Sequence, residues 1–345
     1  MLQLMRPEKL KSGDRIAAVS PSWGGAGDAE LLWRYNLGKA RLQQQFGLQV
    51  VEMPHTLCGS AYVYAHPQKR AEDLMQAFAD PEIKGIFACI GGDDSIRMLP
   101  YIDFEVMRQN PKVVLGYSDT TTLHLMCVKA GFTSFYGPSI LAEFAENVEI
   151  FPYTVQHFEK AVFSGEAIGQ VLPPAQTTGE RVEWLQENEN RRKTMQPHGA
   201  YEVLQGNATV RGPLLGGCIE VLEMSKGTPL FPPPEAFDGA LLFFETSEDM
   251  PPPTYLEYWL RNYAVQGLLQ RAGALLFGRP YQGVYYNEYK ASILKIMGEF
   301  SLENLPVFYN LPFGHNEPMC TLPYGAMAEV DTKLKAFSIL QPGVL

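Results

Sequence analysis

The chain has 345 residues, of which 46% are hydrophobic and 19% charged, and a formal net charge of −10. That length allows one large or two ordinary domains, and that composition excludes a disordered chain. The acidic balance excludes a nucleic-acid polymer as partner, which would require a basic face, and leaves small anionic ligands open because local groups decide their binding.

The start, Met1 to Lys9, has no apolar leader core, and no apolar run is long enough to span a membrane. The five cysteines are odd in number and none lie close together in sequence; Cys89 and Cys127 sit in apolar runs and read as buried, reduced thiols. A soluble cytoplasmic protein with no membrane partner is expected.

In chain order, Arg15–Ser20 reads as a short apolar strand, followed by a loop with Gly24, Gly25 and Gly27. Those glycines either cradle an anion or form a plain turn; the spacing is not that of a dinucleotide loop. A helix runs through Leu31, Tyr35, Leu37 and Leu42 to Gly47, and a second strand covers Leu48–Glu52. Ala71, Leu74, Met75 and Phe78 are spaced for a helix that begins near Pro67 and ends at Ala79. Gly85–Ile90 has almost no polar residue and reads as a central parallel strand, ending in Gly91-Gly92-Asp93. A helix through Ile96, Met98 and Leu99 follows. Val113–Leu115 is a fourth strand that leads through Gly116-Tyr117 into Ser118-Asp119 and a helix ending at Gly131. Strands alternating with helices over short loops give a parallel α/β sheet.

A short apolar strand, a sharp turn and an immediate helix can present a nucleophile, with the helix N–H groups aimed at what it attacks. Ser118 stands at such a turn, although Thr120 occupies the second-glycine position of the G-x-S-x-G elbow. A helix cap is the alternative. Two strands would then end at one edge, where open α/β sheets bind ligands. Gly91-Gly92 is either a tight turn or a close approach to a ligand, and the N–H groups of Gly92 and Asp119 are candidates for an oxyanion hole.

Residues 173–200 are polar and mixed in charge, with Trp184 as the one large aromatic, and read as a long loop between domains or over the site. Two short strands, Tyr201–Leu204 and Ala208–Gly212, open the second half; Leu214–Leu222 reads as a turn into a helix. Ala240–Glu245 is an apolar strand ending in an acid. Thr254 is the expected cap of a helix to Val265, and Ala274–Gly278 and Pro306–Asn310 are further strands. The last of these leads into Gly314-His315. Two strands, Gly325–Val330 and Lys335–Leu340, close the chain.

Ser118, Glu245 and His315 thus stand at or just past strand ends. A serine hydroxyl needs a base in hydrogen-bond reach, and the base needs a group that fixes its tautomer. Glu245 as a cap or salt-bridge acid and His315 as a satisfied loop histidine remain the alternatives. His124 reads as packing, and the other histidines show no metal spacing, so neither metal nor cofactor is expected.

Gly91-Gly92-Asp93, Gly116-Tyr117-Ser118-Asp119, Leu215-Gly216-Gly217, the strand ending in Glu245, and Gly314-His315, in this order over nearly the whole chain, resemble the LD-carboxypeptidase family of serine peptidases. The resemblance implies an N-terminal Rossmann-like parallel-sheet domain (residues 1–165) and a linker or substrate loop (166–200). A C-terminal strand-rich α/β domain (201–345) completes the chain. It implies a homodimer and a triad at the domain junction: Ser118 as nucleophile, His315 as general base, Glu245 as its orienting acid, with Gly92 and Asp119 as oxyanion donors and Gly91 and Asp93 beside the substrate. One branch of the family releases D-alanine from murein tetrapeptides. The other resembles the microcin C self-immunity protein, which cleaves the amide joining an aminoacyl group to a nucleotide-like moiety. The length of the 173–200 loop and Trp184, a platform for a nucleobase, favour the second branch; base stacking is worth about 1–3 kcal/mol. The expected substrate is a small peptide or aminoacyl-nucleotide.

Overall fold

The computed structural model describes residues 2–345. Six strands form the first sheet, in the spatial order Leu322–Pro323, Phe135–Tyr136, Val113–Gly116, Ile83–Ala88, Arg15–Val19 and Gln49–Glu52. Five are parallel and come from the first half of the chain; Leu322–Pro323 arrives from the second half and pairs antiparallel with Phe135–Tyr136. The apolar runs Val113–Gly116 and Ile83–Ala88 are central because they have no polar face to offer water, and both lie almost wholly buried.

Eight strands form the second sheet, in the order Gly169–Gln170, Ala336–Ile339, Met327–Asp331, Thr209–Cys218, Leu241–Glu245, Ala274–Gly278, Val307–Leu311 and Glu202–Gln205. Its middle is parallel, and the strands towards both edges run antiparallel. The protein is thus α/β, with an N-terminal Rossmann-like parallel sheet and a C-terminal strand-rich sheet.

Three local readings differ from the sequence expectation. Leu214–Cys218 continues the strand begun at Thr209, and the helix starts only at Ile219. Gly216 explains this: a Cβ there would lie 1.8 Å from the Phe243 carbonyl oxygen, so the glycine serves close strand contact rather than a turn. Thr254 does not cap its helix, which spans Pro253–Val265 behind Pro252. The helix Tyr286–Glu299 is absent from the sequence reading, although Tyr289, Ile293, Ile296 and Met297 are buried at helical spacing.

Residues 173–200 are anchored rather than free. Gln176–Thr177 pairs antiparallel with Gln196–Pro197, and the Thr178 N–H donates to the Glu317 carbonyl at 2.9 Å. Lys193, with a side chain only 9% exposed, bridges Glu146 at 2.6 Å and Glu317. No helix among the described residues is long and apolar enough to cross a membrane.

Candidate active site

The strand Val113–Gly116 delivers Tyr117 and then Ser118, whose φ of +62° lies in the left-handed region. A short 3-10 turn, Ser118–Thr120, runs into the buried helix Thr121–Ala130. A non-glycine residue in this region costs about 1–2 kcal/mol, so the surroundings must hold it. His124 braces the strand end from inside the helix: Nε2 donates to the Gly116 carbonyl at 2.9 Å and Nδ1 meets the Ser134 hydroxyl at 2.9 Å. Burial pushes its pKa down to about 4, so this imidazole is a neutral structural part, as its sequence position suggests.

Glu245 ends the strand Leu241–Glu245, and His315 lies four residues past Val307–Leu311, the next strand but one in the same sheet. The fold brings both to Ser118. His315 Nε2 lies 3.0 Å from Ser118 Oγ, and His315 Nδ1 donates to Glu245 Oε2 at 2.7 Å. The His315 backbone N–H donates to the same oxygen at 3.1 Å. Gly314, at φ +84°, makes this approach feasible, because a Cβ there would sit 2.4 Å from Glu245 Cγ. Tyr117 packs edge-on against the imidazole at 5.0 Å. Burial works against the charged imidazole, but the Glu245 carboxylate, together with Glu248, outweighs it and holds the His315 pKa well above the ordinary value.

Tyr136 is a member of this arrangement that the sequence reading missed. Its hydroxyl accepts the Ser118 N–H at 3.1 Å and donates to Glu245 Oε1 at 2.5 Å. The four residues close a ring of hydrogen bonds that crosses the junction between the sheets: Ser118 N–H to Tyr136, Tyr136 to Glu245, Glu245 to His315, His315 to Ser118 Oγ. The ring also occupies the Ser118 N–H, so that group is not free to meet a substrate oxygen. Tyr136 is fully buried, and burial first, then the neighbouring carboxylate, hold its pKa well above the ordinary phenol value, so the phenolic proton stays in place. Tyr136→Phe would leave a buried carboxylate oxygen and a buried N–H without partners. Stability is expected to drop by about 1.5–3 kcal/mol, which a thermal melt would read. Turnover is expected to fall about 100-fold with KM nearly unchanged, since the loss is one of orientation.

Gly91 stands directly beside Ser118: a Cβ would come within 2.7 Å of Ser118 Cβ and 2.9 Å of its Oγ. Gly92 is exposed at φ +145°, where a Cβ would strike Ser22 Oγ at 2.3 Å. Asp119 is buried; its Oδ2 accepts the Ser95 N–H at 2.8 Å, and Ser95 Oγ donates to the Asp119 carbonyl at 3.0 Å. These bonds tie the turn of Ser118 to the loop of Gly91 and Gly92. Asp93 is exposed and makes no ion pair or hydrogen bond among the described residues; its neighbour Asp94 instead pairs with buried Arg70 at 2.6 Å and with Arg97 at 2.8 Å. Arg70 also donates to the Pro21 carbonyl at 3.0 Å, which joins the loops after the first and third strands. A Cβ on Gly24 would lie 2.7 Å from Val63 Cβ, and one on Gly27 2.4 Å from the Leu57 carbonyl, so close packing here requires both glycines.

Trp184 is half-buried, and the Arg34 guanidinium lies 4.6 Å from its ring centroid on one face. The loop after Leu241–Glu245 adds Glu248, another residue missing from the sequence reading. Its Oε2 lies 2.7 Å from His315 Nε2. Burial would raise its pKa, but the bond to His315 brings it down to about 2.

Residues 16–137 match the model of the LD-carboxypeptidase N-terminal domain, and residues 211–330 match that of the C-terminal domain. The chain belongs to the LD-carboxypeptidase family. An MccF-like protein from Streptococcus pneumoniae, solved in complex with AMP, is 32% identical and superimposes with a TM-score of 0.88 over 94% of this chain and 98% of that one. The microcin C7 self-immunity protein MccF of Escherichia coli is 27% identical over 283 residues, 79% of this chain and 78% of that protein. The murein tetrapeptide carboxypeptidase of Pseudomonas aeruginosa is 24% identical over 276 residues, 78% of this chain and 80% of that protein. As a member of the LD-carboxypeptidase family, the protein is a serine carboxypeptidase-type hydrolase.

Proposed function

We propose that the protein hydrolyses the amide or acyl bond of a peptidyl- or aminoacyl-nucleotide, with Ser118 as nucleophile, His315 as general base and Glu245 as its orienting acid. The observation that carries this reading is the contact of Ser118 Oγ with His315 Nε2 at 3.0 Å while Nδ1 is held by Glu245 at 2.7 Å. With Nδ1 protonated and anchored, Nε2 is the nitrogen left to accept a proton. Ser118 Oγ bonds to the carbonyl carbon as its proton passes to Nε2. The oxyanion forms against the Gly92 and Asp119 N–H groups. His315 then gives the proton to the departing nitrogen or oxygen as that bond breaks. Water attacks the acyl-serine by the same route in reverse, releasing the acid and restoring Ser118.

The nucleotide side of the substrate is supported by the Streptococcus pneumoniae neighbour bound to AMP. A base would stack on the face of Trp184 opposite Arg34. Gly91 and Asp93 would lie beside the scissile group. The second reading, release of D-alanine from murein tetrapeptide, is favoured by the Pseudomonas aeruginosa relative and uses the same triad. We divide the chain into a nucleophile-bearing domain (1–165), a substrate loop (166–200) and a domain bearing acid and base (201–345). In this reading the enzyme is a cytoplasmic homodimer; five free thiols suit a reducing compartment.

A fluorophosphonate probe followed by peptide mass spectrometry is expected to place one adduct on Ser118. Incubation with aminoacyl-sulfamoyl adenosines is expected to give free adenosine sulfamate, whereas a murein tetrapeptide is expected to stay intact. Release of D-alanine with no cleavage of the nucleoside compounds would reverse the order of the two readings.

A further inference from the structure

We propose that Glu248 is the acyl-recognition residue of this site and selects substrates whose acyl residue carries an ammonium group. The proposal rests on the serine-hydrolase reading above.

The starting point is a conflict at one atom. His315 Nε2 must be free to take the Ser118 proton, yet Glu248 Oε2 lies 2.7 Å from it, closer than Ser118 Oγ at 3.0 Å. With Glu245 on Nδ1 and Glu248 on Nε2, the imidazole is held as a cation between two carboxylates, and a cation is no base. Turnover therefore requires Glu248 to leave Nε2.

The geometry separates what is fixed from what can move. The Glu245 side chain is 1% exposed, and that of Glu248 is 49% exposed. The loop beneath Glu248 is pinned: the Ser247 N–H donates to Glu220 Oε1 at 2.8 Å, and Glu220 is itself almost buried behind the loop. Tyr289 closes the far side of the loop by donating to the Pro251 carbonyl at 2.6 Å. A rotation of the Glu248 side chain alone thus frees Nε2 without disturbing the backbone.

What draws the carboxylate away must be a cation. Among the described residues, no lysine or arginine makes an ion pair with Glu248; Arg181 of the 173–200 segment acts only through its longer-range field. An ammonium group on the residue acylating Ser118 would arrive next to Nε2, take Glu248 from it, and leave both charges paired. An acyl residue without an ammonium group offers no partner for that exchange. An acidic one would meet Glu248, Glu245 and Glu220 together and be repelled. Glu248 would in this way link activation of the base to the identity of the acyl group.

The test uses the whole chain and a neutral fluorophosphonate. Labelling of Ser118 by this probe needs the free base but no ammonium, so Glu248→Gln is expected to label about tenfold faster than the wild type near neutral pH. Added ethylammonium is expected to speed labelling of the wild type and not of Glu248→Gln. With the α-amine acetylated, so that only the side chain can carry an ammonium, lysyl, norleucyl and glutamyl compounds, as sulfamoyl adenosines and as acyl-D-alanine peptides, are expected to rank in that order. Lysyl should exceed glutamyl by about 100-fold in kcat/KM, or in protection of Ser118 from the probe where turnover is absent. Glu248→Lys is expected to invert the order. Equal labelling rates for wild type and Glu248→Gln, with no charge order among the acyl groups, would overturn the proposal and leave the hydrolase reading standing. Failure of a folded wild type to label at Ser118 would remove that reading and the proposal with it. Glu248 is half-exposed and the Gln variant is isosteric, so its melting temperature should stay close to that of the wild type.

Discussion

Ser118→Ala is expected to lower kcat about a millionfold, leaving only the catalysis that binding and the oxyanion donors supply. The size follows from the proposed mechanism, in which the three residues work as a unit: without Oγ, His315 has nothing to deprotonate and Glu245 no base to orient. Adding Glu245→Gln or His315→Ala to Ser118→Ala should therefore cost little more activity. Stability provides an independent check on the same residue. Ser118 sits at φ +62°, where a side chain is strained and glycine is not. Ser118→Gly is expected to match or exceed Ser118→Ala by up to about 1 kcal/mol in thermal or denaturant unfolding, the reverse of the usual order of these two residues. An Ala variant clearly more stable than the Gly variant would show that the left-handed turn is not held in solution.

Glu245→Gln is expected to lower kcat about 10⁴-fold at neutral pH with little effect on KM. The amide keeps the shape of the carboxylate, so Gly314 still fits and the strand Leu241–Glu245 stays in place. What is lost is the charge that, in the proposed mechanism, fixes the His315 tautomer and stabilises the imidazolium formed during attack. Because Glu245 raises the His315 pKa in the folded state, the pair contributes stability that is full below the unfolded value of about 6.5 and fades as pH rises through the folded pKa. The stability gap between wild type and Glu245→Gln is therefore expected to be larger at pH 6 than at pH 9, measured by urea unfolding at both. A gap that widens with rising pH would contradict the charge assignment of His315.

Much of this arrangement is legible in the chain as written. Val113–Leu115 followed by Gly116 and Ser118 marks a strand ending in a turn. Ala240–Glu245 marks a strand ending in an acid, and His315 stands just past a third. Each is a local pattern with a local cause. Tyr136 is not legible in this way. Phe135–Tyr136 is a strand of only two residues, and nothing near it in sequence indicates that its hydroxyl meets an acid 109 residues further on. Glu248 is equally silent, since a glutamate in a polar, proline-rich loop is usually a solvated charge. The strand Thr209–Cys218 is hidden in the sequence because its adjacent glycines, Gly216 and Gly217, look like a turn in isolation. Only the Phe243 backbone on the neighbouring strand shows why a side chain is excluded there.

The sequence alone determined the parallel α/β character, the order of the strands along the chain, and the residue types at their carboxyl ends. Those follow from hydrophobic periodicity and turn chemistry, which act over a few residues. The tertiary structure decided which strand ends meet. It placed the ends of Val113–Gly116 and Leu241–Glu245, from two different sheets, on opposite sides of one junction, closed the ring through Tyr136, and set Glu248 against His315 Nε2. His315 meets Glu245 across 70 residues of chain and Ser118 across 197, and only burial of the apolar sheets in the folded core brings such distant groups within hydrogen-bond reach.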